Sequence, residues 1–332
     1  MRVVLADPPA FTPPYDHALA AALAQAGADV ELVTSRFRFG DVPAPESYER
    51  RELFYPLSSR LFGRSRLRLP LKALEHPLGL ARLAAMRADV VHVQWLAAPE
   101  LDVRFLRHRA PLVLTAHDLL PRRTAGKHAL WHRLFARFQR VVVHSRRGRD
   151  TLVAFGVPAE KLRVIPHPVW PSEPERGDDG RTVLALGLVR PYKQLDHARQ
   201  AALAAGAELR VAGDSKAFLS DAEIDRALGA STVAVFPYRP ELDQSGALLR
   251  ALGAGIPAVV YDVGGLGEVV SAYGAGRVVA PDDVEGLAAA LRALLDDQTA
   301  LAAARAGALR AREELTWEAS ARAHLELYRE LT

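Results

Sequence analysis

From its first residues the chain alternates short valine- and leucine-rich runs with stretches whose apolar positions return every three to four residues. This alternation predicts parallel sheets covered by helices on both faces. The opening is a complete unit. "RVVLA" reads as a buried strand, "HALAAALAQAGA" as a helix that Gly27 helps to close, and "DVELVTS" as the next strand. A long Pro-, Gly- and Arg-rich loop follows. Strands are then expected at "DVVHVQWL", "PLVLTAH" and "RVVVHS", with a short helix at "GRDTLVAFG" and an exit strand at "LRVIPHPV".

The pattern breaks once and restarts. Residues 169–181, with the polar, acid-rich "WPSEPERGDDGR", read as a linker. Beyond it "TVLALGL", "ELRVAG", "TVAVFPY", "AVVYDV" and "GRVVA" read as strands, with helices at about 192–206, 221–229, 245–254 and 284–294. "LTWEASARAHLELYREL" is an amphipathic helix with Thr316 as expected N-cap. The expected fold class is therefore α/β, with two Rossmann-like parallel-sheet domains at 1–168 and 182–315 and a terminal helix at 316–332. In such sheets ligands bind beyond the carboxyl ends of the strands, so the expected site is the cleft that the two domains would face.

Composition narrows the class of function. Apolar residues make up 49% of the 332, and no run is long enough to span a membrane. The start "MRVVLADPPA" lacks the features of a signal peptide, so a cytoplasmic location is expected. The absence of cysteine removes disulfides, thiolate zinc sites and cysteine nucleophiles. Net charge is +4, but residues 1–165 stand at +11 and the remainder at −7. A basic first half suits an anionic partner. Nucleic acid is not the expected one, because no binding module and no aromatic platform accompany the cations. Residues 58–76, "SSRLFGRSRLRLPLKALEH", interleave Arg60, Arg64, Arg66, Arg68 and Lys72 with leucines and Phe62. They fit either a solvated loop and helix or a peripheral contact with anionic lipid at the inner membrane face.

Three places carry candidate chemistry. In "PYRPELDQSGALLRALGAGIPAVVYDVGG" a strand leads through Ser245 and Gly246 into a helix. The free amides and dipole of such a helix start favour a phosphate. Gly246 permits close approach, Ser245 can cap the helix or bond an oxygen, and Arg250 lies one turn inside, within reach of an anion or a ribose. In "LGLVRPYKQLD", Arg190 and Lys193 follow the first strand of the second half, where two cations can neutralise a diphosphate. In "PLVLTAHDLL", His117 and Asp118 follow a buried strand and can donate to a sugar or phosphate oxygen or carry a proton. His17, read at the start of the first helix, is a further acceptor-side candidate or a helix cap.

Taken in order, "VVHVQW", "LTAHD", "VIPHPV", "GLVRPYK", "PYR…QSG…ALGAGIPAV" and "DVGGLGE" resemble the family 4 glycosyltransferases, GT-B enzymes that use nucleotide-activated sugars with retention of anomeric configuration. The resemblance implies an acceptor-binding first domain, a donor-binding second domain and a last helix crossing back to the first. It implies that Arg190 and Lys193 hold the donor diphosphate, that Gly246 and Ala247 offer backbone amides near the sugar and phosphate, and that His117 lies by the transferred sugar. It implies no cofactor beyond the nucleoside-diphosphate sugar, no metal, and a small or lipid-linked acceptor. Two departures stand out. Where the family carries a ribose-binding glutamate this chain has Arg250, and where the family has an earlier glutamate it has Leu242, flanked by Glu241 and Asp243. Since arginine accepts no hydrogen bond, Glu241 or Asp243 would have to take the ribose. The segment between "VAGDS" and "DAEIDRALGA" is also shorter than in the family. These departures leave open a degenerate nucleotide-binding protein without turnover. A nucleotide-sugar epimerase or hydrolase also remains open, with Glu241, Asp243 and Glu268 as its candidate carboxylates.

Overall fold

A computed structural model of the chain describes residues 1–61, 67–121, 123–213, 219–240 and 243–332. The chain forms two compact units. The first comprises residues 1–144, 149–165 and 317–332, and the second comprises 145–148 and 166–316.

In the first unit the strands are β1 (Arg2–Asp7), β2 (Asp29–Ser35), β3 (Glu49–Phe54), β4 (Val90–Val93), β5 (Leu112–Thr115), β6 (Arg140–Val143) and β7 (Leu162–Val164). They pair in parallel in the order β3-β2-β1-β4-β5-β6-β7. The chain leaves β1 towards β2 and β3 and returns to the other side of β1 as β4. The order therefore reverses between β1 and β4, and a ligand crevice opens at such a point. Helices α1 (Pro13–Gln25), α2 (Arg68–Ala84), α3 (Pro99–Phe105), α4 (His128–Arg137) and α5 (Arg146–Phe155) connect the strands, and the terminal helix packs on α1.

The second unit has β8 (Thr182–Leu186), β9 (Glu208–Ala212), β10 (Val233–Phe236), β11 (Ala258–Tyr261) and β12 (Gly276–Val279) in the parallel order β12-β11-β10-β8-β9. Here the order reverses between β8 and β10. Its helices are α6 (Leu195–Ala204), α7 (Asp221–Gly229), α8 (Gly246–Gly253), α9 (Gly264–Tyr273), α10 (Val284–Leu295) and α11 (Gln298–Glu314); α12 (Trp317–Arg329) returns to the first unit. Local chemistry sets the ends: Ser220 and Glu223 form a capping box on α7, and Asp283 and Asp297 cap α10 and α11.

Several elements differ from the sequence reading. Helix α1 begins at Pro13, four residues before His17, because two prolines suit the first helical positions, where no N–H is needed. The expected loop after β2 contains β3, an edge strand whose "ERRELF" shows no apolar alternation because most of it faces water. Helices α3, α4, α9 and α11 lie where the sequence pattern predicts none. Residues 170–181 form no helix or strand but are bound to the second unit: Ser172 N donates to Gly253 O at 3.2 Å, Gly177 N to Gly229 O at 3.1 Å, and Thr232 Oγ1 to Asp178 Oδ1 at 3.0 Å. A segment held this way is part of a packed surface rather than a free tether.

Candidate functional site

In the second unit the chemistry gathers where β8, β10 and α8 meet. After β8 the chain turns at Gly187, whose φ of +91° is open to glycine. It then makes a short 3₁₀ turn at Pro191–Lys193 that delivers Lys193 back over the strand end. The Lys193 ammonium donates to Leu186 O at 2.8 Å and stands 5.4 Å from the centre of the Tyr238 ring. A Cβ placed on Gly187 would lie 3.0 Å from Lys193 Nζ and 3.5 Å from the Ala247 Cβ, so this cation and the first turn of α8 adjoin the same glycine. The turn is braced, since Arg239 N donates to Tyr192 O at 2.9 Å and the Tyr192 and Tyr238 rings meet edge to face at 5.7 Å.

Lys193 is only 7% exposed, and among the described residues no carboxylate pairs with it. Burial, and then the neighbouring Arg190 charge, lower its pKa to about 8. A buried cation set beside a second cation is an arrangement that a bound anion would stabilise. Arg190 itself is exposed at the start of this turn. Helix α8 adds to the field. Ser245 Oγ accepts from Leu248 N at 3.2 Å and Ser245 O from Leu249 N at 3.1 Å, which leaves the Gly246 and Ala247 amides as the helix's outward donors. Lys193, Ala247, Gly246 and Ser245 are thus brought together.

The other predicted donor residues are employed differently. The Arg250 guanidinium pairs with Asp221 Oδ1 at 2.8 Å and lies 5.2 Å from the centre of the Trp170 ring. Its charge is matched, so the expected reach towards an anion or ribose is not what the structure shows. Asp243 is 5% exposed and accepts from Ser145 Oγ at 2.9 Å; burial raises its pKa. Glu268 accepts from Arg146 N at 3.0 Å and Arg147 N at 3.1 Å. Both carboxylates hold residues 145–148 within the second unit instead of standing ready for acid–base chemistry. Glu241 lies outside the described residues.

In the first unit the strand ends at the β1/β4 crevice carry a separate cluster. His117 follows β5; its Nε2–H donates to Gln94 Oε1 at 3.1 Å. Its ring is stacked on Trp95 at 5.0 Å and meets Tyr15 edge-on at 4.7 Å and His144 at 5.2 Å. Trp95 is fixed in turn by its Nε1–H bond to Thr12 Oγ1 at 2.8 Å, and the exposed Phe11 ring meets it edge-on at 5.4 Å. Beneath lie two buried carboxyls. Asp7, at the end of β1, accepts from Phe11 N at 2.7 Å and Thr12 N at 3.3 Å, and is hydrogen-bonded to Asp16. Burial, then the Asp7 charge, push Asp16 well above the carboxylate range, which favours its protonated form. Asp7 Oδ1, Asp16 Oδ1 and Gln94 Nε2 are buried with no hydrogen-bond partner among the described residues. Polar atoms left this way beside an aromatic shelf suit a hydroxyl-bearing guest.

Asp118 is exposed beside His117. His17 does not cap α1: it lies one turn inside and bonds the Tyr48 hydroxyl through Nδ1 at 2.9 Å, with burial lowering its pKa. Sequence reasoning missed Asp7, Tyr15, Asp16, Gln94, Trp95 and His144 as members of this cluster. Three of them, Asp7, Gln94 and His144, end or directly follow β1, β4 or β6, so asking which polar residues end every strand, rather than β5 alone, would have found those three. Among the described residues no group of three or more His, Asp or Glu side chains is arranged to hold a metal ion, and no helix is long and apolar enough to cross a membrane.

The model of the family described as Glycosyltransferase Family 4 matches residues 15–173, and that described as Glycosyl transferases group 1 matches residues 182–297. A glycogen synthase of Mycobacterium tuberculosis is 29% identical over 94% of this chain and 89% of its own length. Among solved structures, the sucrose-phosphate synthase of Thermosynechococcus elongatus superposes with a TM-score of 0.73 at 19% identity, covering 100% of this chain and 99% of that one. Anabaena Alr3699/HepE in complex with UDP-glucose does so with a TM-score of 0.72 at 15% identity, covering both chains fully.

Proposed function

From a chain that is a GT-B glycosyltransferase related to family 4, acting on a nucleoside-diphosphate sugar, we propose a retaining, metal-independent transfer to the hydroxyl of a small or lipid-linked acceptor. In this reading the second unit holds the donor diphosphate with Lys193, Arg190 and the Gly246 and Ala247 amides. The first unit receives the acceptor at the His117 cluster.

The observation that carries the reading is the buried Lys193 ammonium, which has no carboxylate partner among the described residues and adjoins the start of α8. When the bond between the anomeric carbon and the phosphate breaks, negative charge accumulates on the leaving diphosphate. Fixed cations and amides at that oxygen stabilise the transition state more than the ground state, and they do so without solvent reorganisation. The same charges would do the neutralising that a divalent metal does elsewhere. With Asp243 and Glu268 engaged by residues 145–148, no described carboxylate of this cluster is free as a protein nucleophile. That argues against a covalent sugar–enzyme intermediate, so retention, which the reading takes from the resemblance to family 4, would require the acceptor to attack on the face the diphosphate leaves.

The test is a panel of UDP-, ADP-, GDP- and dTDP-glucose with EDTA present. One nucleotide is expected to raise the melting temperature, and its sugar to be hydrolysed slowly with the α-anomer appearing first. Stabilisation without turnover would favour a binding protein. A β-anomer first would sink retention, and activity abolished by EDTA would sink metal independence.

A further inference from the structure

Helix α2 is apolar on both sides, where a helix seated on a core needs only one such side. Its inner side is fixed by specific contacts. Gly79 packs so closely on β3 that a Cβ there would stand 2.4 Å from Phe54 Cδ1. His76 bonds Asp102 Oδ1 and the Tyr55 hydroxyl, each at 2.6 Å, while Glu75 accepts from Leu57 N at 2.7 Å and Ser58 N at 3.0 Å. With Leu80 and Leu83 buried alongside, the rotation of α2 is set.

The opposite side then carries Leu67, Leu74 and Leu78, which are 71, 71 and 59% exposed. Spacings of seven and four residues place all three on one line of the helix, and Leu71 falls on the same line. Core packing does not account for these leucines. The segment leading into and through the first turns of α2 is basic: from Leu53 to Leu74 the sequence has five Lys and Arg residues and no Asp or Glu. Among the described residues, Arg60 and Arg82 are exposed and Arg38 donates to Ser59 O, whereas Lys72 lies on the inner side, 4.4 Å from the centre of the Tyr55 ring.

We propose that this face of α2 docks on an anionic lipid surface, with the Leu67–Leu74–Leu78 line entering the acyl boundary and the flanking cations meeting lipid phosphates. A helix lying in the interface needs this pairing of an apolar line with a basic flank. A protein partner is disfavoured because the exposed apolar line is wholly aliphatic, whereas protein contact centres are enriched in Trp and Tyr. The inference goes beyond the catalytic reading and does not depend on it.

Co-sedimentation with phosphatidylcholine vesicles, with and without phosphatidylglycerol, tests it in the full chain. Binding is expected only with the anionic lipid. Leu74→Ser combined with Leu78→Ser should lower the bound fraction about tenfold, and Arg60→Gln combined with Arg82→Gln should weaken binding while making it less salt-dependent. All four side chains are exposed, so folding is retained, and a melt confirms it. Equal recovery in both supernatants overturns the inference, as does undiminished binding of the double-serine variant. So does a wild-type dimer, seen by light scattering, that the serines convert to a monomer, since a second copy would then cover the line. Nucleotide binding by the second unit is measured on the same samples. If it persists while vesicles fail to bind, this inference falls and the donor reading stands.

Discussion

Replacing Lys193 by methionine is expected to lower kcat/KM for sugar transfer by about 10²- to 10³-fold, the range found when one fixed donor to a developing oxyanion is removed. The same change should leave the protein at least as stable. In the free protein the ammonium is buried beside Arg190, and its lowered pKa of about 8 measures how unfavourable that placement is. A shift of that size corresponds to roughly 3 kcal/mol, and methionine fills the space without the charge. Activity and stability therefore move in opposite directions, as they do where a site keeps a strained group for function. The nucleotide-induced rise in melting temperature should shrink in parallel. A variant that loses activity because it unfolds, or that keeps full activity, would remove Lys193 from the donor site.

The second large effect is acid lability confined to the first unit. His92, His144 and His324 are buried there; burial lowers the pKa of all three, to about 4 for His144 and His324. His92 sits between the Tyr328 hydroxyl at 2.6 Å and Thr115 Oγ1 at 2.7 Å, and His324 Nδ1–H donates to Ser320 O at 2.8 Å. The folded pKa is below the unfolded value, so between about pH 6.5 and 4 the unfolded chain binds more protons and stability falls as pH falls. Each histidine contributes roughly 1.4 kcal/mol per pH unit. Asp16 acts in the opposite sense, because its folded pKa is raised and its burial becomes less costly in acid. Asp7 and Asp102, whose pKa burial also raises, act with Asp16, so the net loss is smaller than the three histidines alone would give. Calorimetry should show one transition falling steeply while the other moves little, and His324→Leu should flatten the fall by about a third. Two transitions that decline together would contradict this assignment.

How far these features were legible depended on which forces act locally. Buried parallel strands such as "VAVF" and "AVVY" are apolar throughout and announce themselves, so the two-sheet α/β class could be read. The strand β3 could not, because an edge strand facing water has no periodicity to see. The elements of the proposed donor site were partly visible: a helix start and two cations at strand ends are sequence features, and Lys193 and the start of α8 adjoin the same glycine. Their neighbours were not. Nothing local says that Arg250 will find Asp221 and Trp170, since those partners come from other parts of the chain. The Asp7–Asp16 pair was hidden for a related reason, because a carboxyl near a helix start normally reads as a favourable charge on the dipole and only the packed structure buries it.

The most direct test of the central claim is the pH dependence of affinity for the tightest-binding of UDP, ADP and GDP, measured by titration calorimetry from pH 7 to 9.5 on the wild-type chain and Lys193→Met. If the buried ammonium grips the diphosphate, wild-type affinity falls above about pH 8, where the free protein loses that proton, and binding takes up a proton from solvent. The methionine variant then binds weakly with little pH dependence. Equal affinities in the two proteins, or a wild-type profile flat across this range, would contradict the account.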